Sequence, residues 1–491
     1  MNLNSKLSDH KIKKGKVIAP WNHLMGDTLS LNSWAKDRLP EYIWIALIHC
    51  HYGRSESISI LHRILKKFMD NSIEIGRPKL SSILSLDNER KSNALQIIYD
   101  EVDKYVLSPL TLILRRKNYP EFNDFFYINE MKVEDKINRI NHVMKNYIDH
   151  QSYEATDLRY MVIMNLVMNG SIAVSSDLDI APDAIMYYPT HDHDEEIMKM
   201  YRPSIRSLEG LDVEETNNEF VSLFKKELAM VTQCNPVYTS LSNSNNANPI
   251  NDDLIIDISK ALELNVSLNK ESLITDSKYE VMIGSIYYSL KIFKEILELG
   301  QVSSILGRHG IRTIIEVYIM MKYMVNQEQG NSDIWYEYKL YGIGKYKMIL
   351  LKSRESNNEI EHLVEPIVDA IVNEIQSEEF TDVDLTYFDK KGIREKCILV
   401  NEKLLYDLYY DYDTNYTHGL WGAVRESAML VCDNPSHYYH NVPDTNFHQK
   451  LSSVAKDFEF VFFKLLSVFN QQYELPDWFL KKYREKIDAN T

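Results

Sequence analysis

Tyr279-Glu-Val-Met-Ile-Gly-Ser-Ile-Tyr-Tyr-Ser-Leu-Lys-Ile-Phe-Lys-Glu-Ile-Leu297 settles the fold class of this chain. Tyr279, Ile283, Ile286, Leu290, Phe293 and Leu297 recur at alternating steps of four and three. A backbone that turns once in about 3.6 residues brings such positions onto one stripe, so the spacing predicts a helix packed along its length. Gly300 stands where its carboxyl-terminal stop belongs.

The same period continues outward. It predicts helices over 302–326, 332–352, 359–377, 397–412, 414–434, 448–472 and 476–488. In 448–472, Val454, Phe458, Val461, Phe462, Leu465 and Phe469 make a broad apolar face. Upstream, 41–70 (entered just after Pro40), 88–117, 131–149 and 153–169 have the same character. No run of clean alternation is bounded by hairpin turns, and no repeat of solenoid length is present. Glycine (16) and proline (14) are scarce for 491 residues, which favours long helices over hairpins. The expected fold is all-α: a multi-helix bundle in two helical domains.

The expected boundary is the Asn/Ser-rich stretch 233–253, centred on Asn243-Ser-Asn-Asn-Ala-Asn-Pro249, whose polar turn-formers cannot bury a face. It would join an amino-terminal helical domain, 1–232, to a carboxyl-terminal helical bundle, 254–491. Val17-Ile-Ala-Pro-Trp21 reads as an extended amino-terminal arm, and Lys6, Lys11, Lys13, Lys14 and Lys16 as a solvated, poorly ordered tail. Residues 181–201, with Pro182 and Pro189, read as irregular with a short helix.

Composition narrows the function. A formal charge of −16 argues against a surface coated in nucleic acid, so RNA would be accepted only through a local site. Cys50, Cys234, Cys397 and Cys432 are far apart and form no C-x-x-C, which fits reduced thiols in a cytoplasmic protein. No signal peptide or membrane span is expected, because the apolar run after Trp44 is broken by His49 and His51. The Asn, Ile, Lys and Tyr bias suggests an AT-rich prokaryotic genome.

Two polar clusters interrupt otherwise buried helices. The first is Arg308-His-Gly-Ile-Arg-Thr-Ile-Ile-Glu316; the second is Leu408-Tyr-Tyr-Asp-Tyr-Asp-Thr-Asn-Tyr-Thr-His-Gly419. Arg308, Arg312 and Glu316 are spaced by four and share a helix face, as do Thr414 and His418. Two guanidinium groups on one face can grip a phosphate or carboxylate. His418 can act as acid, base or anion ligand, with Tyr409, Tyr412 and Thr414 beside it, and Gly419 would admit a second backbone. The plainer reading is that the clusters satisfy each other, since unpaired polar groups in a core cost a few kcal/mol.

An Arg-x-x-x-Glu helix followed roughly a hundred residues later by Tyr-x-x-Thr-x-x-x-His-Gly resembles a family of bacterial all-helical domains of unknown function. Arg312 and Glu316 match the first motif; Tyr409 or Tyr412, Thr414, His418 and Gly419 match the second, over about 275–440. Family members usually carry serine where this chain has Thr414. Members occur alone and among mobile-element and phage-defence genes. The resemblance implies a helical fold and a pocket. The expected function is a defence or stress protein that senses a ligand or a protein partner, or a second copy of itself. Arg312 would bind an anion, Glu316 would orient Arg312, and His418 with Thr414 would contact or protonate the ligand, with Arg308 beside them. The alternatives are a nuclease-like hydrolase or toxin using Arg312 and His418, and a non-catalytic scaffold. The Arg-then-His signature of helical toxin ribonucleases is missing: Arg54 to His62 and Arg354 to His362 are each separated by seven residues, too many for it.

No cofactor is expected, because Walker, dinucleotide, nucleophile-elbow and His-Glu-x-x-His patterns are all missing. No metal site is expected either. His191-Asp-His-Asp-Glu-Glu196 reads as an acidic helix start. Asp177 and Asp179 lack the Gly-Ser and strand of a nucleotidyl transferase, and Cys432, His437 and His440 lack an evident fourth ligand.

Overall fold

A computed structural model of the chain describes residues 6–18, 33–170, 180–210, 218–238, 252–356 and 360–488. The molecule is 70% helical and 3% strand, an all-α multi-helix bundle. No helix among the described residues is long and apolar enough to cross a membrane. The centre of the expected linker, 239–251, lies outside the described residues, as do Asp177 and Asp179.

The chain divides into two compact units, Met1–Val237 with Val431–Val442, and Tyr238–Leu430 with Pro443–Thr491. The first unit is therefore discontinuous in sequence, which the apolar periodicity gave no sign of.

Unit 1 is built on two helices buried around most of their circumference, Leu39–Tyr52 and Tyr153–Met168. Gly53, with φ of +75°, ends the first and separates it from Arg54–Asp70, so the run expected over 41–70 is two helices. Helices buried on all sides must carry partners for their own polar residues. Glu41 accepts from the Ser81 amide (3.0 Å) and hydroxyl (2.9 Å). Asp157 accepts from Arg54 Nε (2.9 Å) and Tyr188 OH (2.9 Å) and lies 3.0 Å from His193 Nε2. Glu209, fully buried, faces Arg38, Arg77 and Arg159. Burial pushes the Arg159 guanidinium down to about 10.

The lysine-rich start is not a loose tail. Lys11–Lys13 and Lys16–Ile18 pair antiparallel across a turn in which Lys14 (φ +49°) and Gly15 (φ +75°) are both left-handed, the geometry of a two-residue hairpin. The second half of the expected arm, Ala19 to Trp21, lies outside the described residues.

Unit 2 is organised around Ile305–Gln327. Ser277–Glu298 and Ala455–Asn470 pack on it, with Phe293 stacked on Phe458 at 5.0 Å. Gly310 permits this close layer: a Cβ there would stand 2.2 Å from Ile296 Cδ1 and 3.1 Å from Phe458 Cζ. Gly300 (φ +65°) ends Ser277–Glu298 as expected. The region 397–434 is more broken than its period predicts. It comprises Ile393–Leu399, Lys403–Leu405, the wide turn Tyr406–Tyr410, Asp411–Thr417, Trp421–Ala428 and the strand Met429–Cys432. Of the helix expected over 359–377, Glu365–Val372 forms.

Candidate functional site

The two polar clusters do meet, within unit 2. Arg312 donates from Nε to Thr414 Oγ1 (3.2 Å), from Nη1 to Glu316 Oε2 (3.2 Å) and from Nη2 to Tyr410 OH (2.7 Å). Its guanidinium lies 4.7 Å from the centre of the Tyr410 ring. Tyr387 OH donates to the other Glu316 oxygen (2.7 Å). Every nitrogen of Arg312 is thus engaged, yet the Arg312 and Glu316 side chains remain 19% and 29% exposed.

A second layer lies one turn earlier on the same helix. Arg308 is buried, 3.5 Å from Asp413 Oδ1, and donates to the Ser452 carbonyl (3.2 Å). It sits over the rings of Tyr412 (5.2 Å) and Tyr416 (5.6 Å), whose hydroxyls donate to Glu426. Burial, with Asp457 adding its like charge, pushes the Asp413 carboxyl up to about 7 despite Arg308 beside it. Asp457 is itself raised by burial. Burial and Glu316 push Tyr410 up to about 12.

The aromatic partner of Arg312 is Tyr410, not the Tyr409 or Tyr412 that the family pattern matches. The Asp411 amide bonds to the Tyr406 carbonyl, five residues back, so the helix widens here and its register slips. Tyr409 instead packs near Phe460, with ring centres 6.2 Å apart. His418 caps Asp411–Thr417 and is exposed, with no side-chain hydrogen bond among the described residues. Gly419 serves as a left-handed turn residue (φ +58°). A Cβ there would meet nothing within 4 Å, so the expected close backbone approach is not made.

Sequence reasoning missed Tyr387, Tyr410, Asp413 and Glu426. Tyr410 and Asp413 lie inside the second polar cluster, Tyr410 four residues before Thr414 on the same face; Tyr387 and Glu426 carry no local signal. Tyr387 belongs to the segment 381–391, whose carbonyls accept from three lysines: Lys345 at Thr386 (3.1 Å), Lys347 at Thr381 (2.8 Å) and Lys396 at Phe388 (2.7 Å). A cavity lined by Gln327, Glu337, Thr381, Asp384, Asp389 and Lys391 shares this segment, and Arg312 and His418 do not line it.

Among residues able to hold a metal, Cys432, His437 and His440 come together with Cys234, all four in unit 1. Cys234 lies about two hundred residues earlier in the chain, beyond the reach of a spacing motif.

A helical domain with a buried arginine–tyrosine–carboxylate network is the class that fold and site define. Residues 279–437 match a family of unknown function, DUF5677. No curated protein and no solved structure matches the chain.

Proposed function

We propose that unit 2 is a sensing module of a cytoplasmic prokaryotic defence or stress protein, and that it binds by exchange at the Arg312–Glu316 pair. The resemblance to domains found among phage-defence genes supports the setting. The observation that carries the mechanism is a partly exposed arginine whose three nitrogens are all engaged by side chains of its own unit. A site built for acid–base chemistry keeps a group free near the reacting atoms; here Thr414, Glu316 and Tyr410 each take one bond from a different nitrogen of Arg312. An incoming carboxylate or phosphate, from a ligand or an acidic protein surface, would replace Glu316 on the guanidinium. Glu316 would then turn away, releasing the Tyr387 hydroxyl and removing one of the ties on the 381–391 segment. Binding is thereby converted into movement of a segment. A ligand shifts such an equilibrium only by its preference for one state, and the displaced Glu316–Tyr387 bond supplies the difference.

The second reading is a nuclease-like hydrolase with Arg312 and His418 as the acid–base pair, favoured by the exposed imidazole of His418. Arg312→Ala and His418→Ala in the full chain separate the two. Sensing predicts that Arg312→Ala abolishes phage protection or partner capture while thermal stability stays within about 1 kcal/mol of the parent. His418→Ala then keeps function, and no RNA is degraded by any form. Loss of RNA cleavage in both variants establishes the hydrolase instead. Unfolding of Arg312→Ala, with Tyr387→Phe functionally silent, leaves the network a scaffold and overturns the sensing role.

A further inference from the structure

We propose that Cys234, Cys432, His437 and His440 form a structural zinc site in unit 1. The ligand atoms of the four lie within 4.8 Å of one another. Three edges of that polyhedron are His437 Nδ1 to Cys234 Sγ at 3.5 Å, His437 Nδ1 to Cys432 Sγ at 3.5 Å, and His440 Nε2 to Cys234 Sγ at 3.3 Å. A tetrahedron with Zn–S of about 2.3 Å and Zn–N of about 2.0–2.1 Å has sulfur–nitrogen edges of roughly 3.5 Å. The three edges therefore already have the size that a tetrahedral zinc requires.

The surrounding bonds orient the ligands. Thr232 Oγ1 donates to the Leu228 carbonyl (2.7 Å), which uses its only proton. It stands 2.6 Å from His437 Nε2, so it accepts there and Nε2 carries the hydrogen. The lone pair of His437 is then on Nδ1, facing both sulfurs. A metal-bound histidine is held in this way by an outer acceptor on its other nitrogen. The Asn235 amide lies 3.4 Å from Cys432 Sγ, a donor placed to stabilise a thiolate.

Backbone pairing brings the two halves together. Pro236–Val237 pairs antiparallel with the end of Met429–Cys432, matching Pro236 to Cys432 and Val237 to Val431. The Asp433 amide bonds to the Asn235 carbonyl (2.7 Å), and the Cys432 amide to the His440 carbonyl (2.8 Å). Tyr438 and Tyr439, both left-handed at φ of +56° and +52°, fold the turn so that His437 and His440 face one way. Two thiols and two imidazoles suit zinc over the hard cations, which take oxygen ligands. Four protein ligands leave no open position, so the site is structural and not catalytic.

The test is zinc content and cobalt substitution of the full chain, purified under reducing conditions. One zinc per chain is expected. Cobalt(II) in its place is expected to give thiolate charge-transfer absorption and the intense visible bands of a tetrahedral centre. Because Cys432 is buried, Cys432→Ser can fail by misfolding. His440→Ala at the exposed edge is the cleaner variant, expected to stay folded and to lose the tetrahedral cobalt spectrum. Thr232→Val is expected to weaken zinc affinity by about 10–100-fold, as loss of an outer partner does. The proposal is overturned if zinc added to the reduced chain binds no better than to His440→Ala, or if Cys234 and Cys432 are found joined as a disulfide in the reduced preparation.

Discussion

Asp413 is a buried carboxyl whose chemistry is displaced by its surroundings into the physiological pH range. Its carboxyl, ordinarily at 3.8, is pushed up to about 7, first by burial and then, against the pull of Arg308, by Asp457. The folded chain therefore keeps a proton that the unfolded chain releases between about pH 4 and 7. Folding binds more protons in that window, so this group's contribution to stability is complete below pH 4 and is lost as pH rises through 7. Asp413→Asn mimics the protonated form. It is expected to match the parent at pH 4 and to exceed its stability by on the order of 2 kcal/mol at pH 8. Urea unfolding at the two pH values measures this; an equal difference at both would show that Arg308 keeps Asp413 ionised throughout. Glu209 is a single buried carboxylate beside three arginines, Arg38, Arg77 and Arg159. Such a cluster stands only while every member is present.

At the scale of elements, the helices of unit 2 depend on missing side chains as much as on apolar ones. A Cβ on Gly307 would lie 2.6 Å from the Gln301 carbonyl and 3.2 Å from Val454 Cγ2. The carbonyl belongs to the turn that enters the helix and cannot rotate away as a side chain can. Gly307→Ala is expected to cost about 1–3 kcal/mol, the usual penalty of overpacking, read as a lowered thermal midpoint. An unchanged midpoint would mean that the 301–304 turn recedes freely. The period of Tyr279 to Leu297 made Ser277–Glu298 and its Gly300 stop legible, because one buried stripe suffices to define a helix. Arg312 meeting Thr414 was legible as well, since buried polar faces need partners. Tyr410 was legible too, four residues before Thr414 on the same face, but the family pattern pointed to Tyr409 and Tyr412 instead. The Lys11–Ile18 hairpin was obscured because charge was read as disorder, although Lys14-Gly15 is a turn pair.

At the scale of the molecule, residues 431–442 complete unit 1 from the far side of the inserted 238–430. Tyr438 packs against its core and under Lys225, and Ser436 bonds to Asn141. The register Val237 to Val431 suggests a direct experiment. Replacing 238–430 by Asn-Gly, the favoured two-residue turn between antiparallel strands, and ending the chain at Val442 should give a unit 1 that melts cooperatively. A fragment ending at Val237 should melt lower and be cut faster by protease, because it leaves the Asn141 and Lys225 faces bare. Equal melting of the two would show that the 431–442 segment adds nothing to the first core.

The ribosome meets that discontinuity as a delay. At roughly 5–20 residues per second, about ten to forty seconds pass between synthesis of Val237 and of Val442. For that interval the first unit stands without its last segment, 431–442, and Cys234 without the Cys432, His437 and His440 beside it. Completion of the first unit is therefore timed by translation of the inserted residues 238–430.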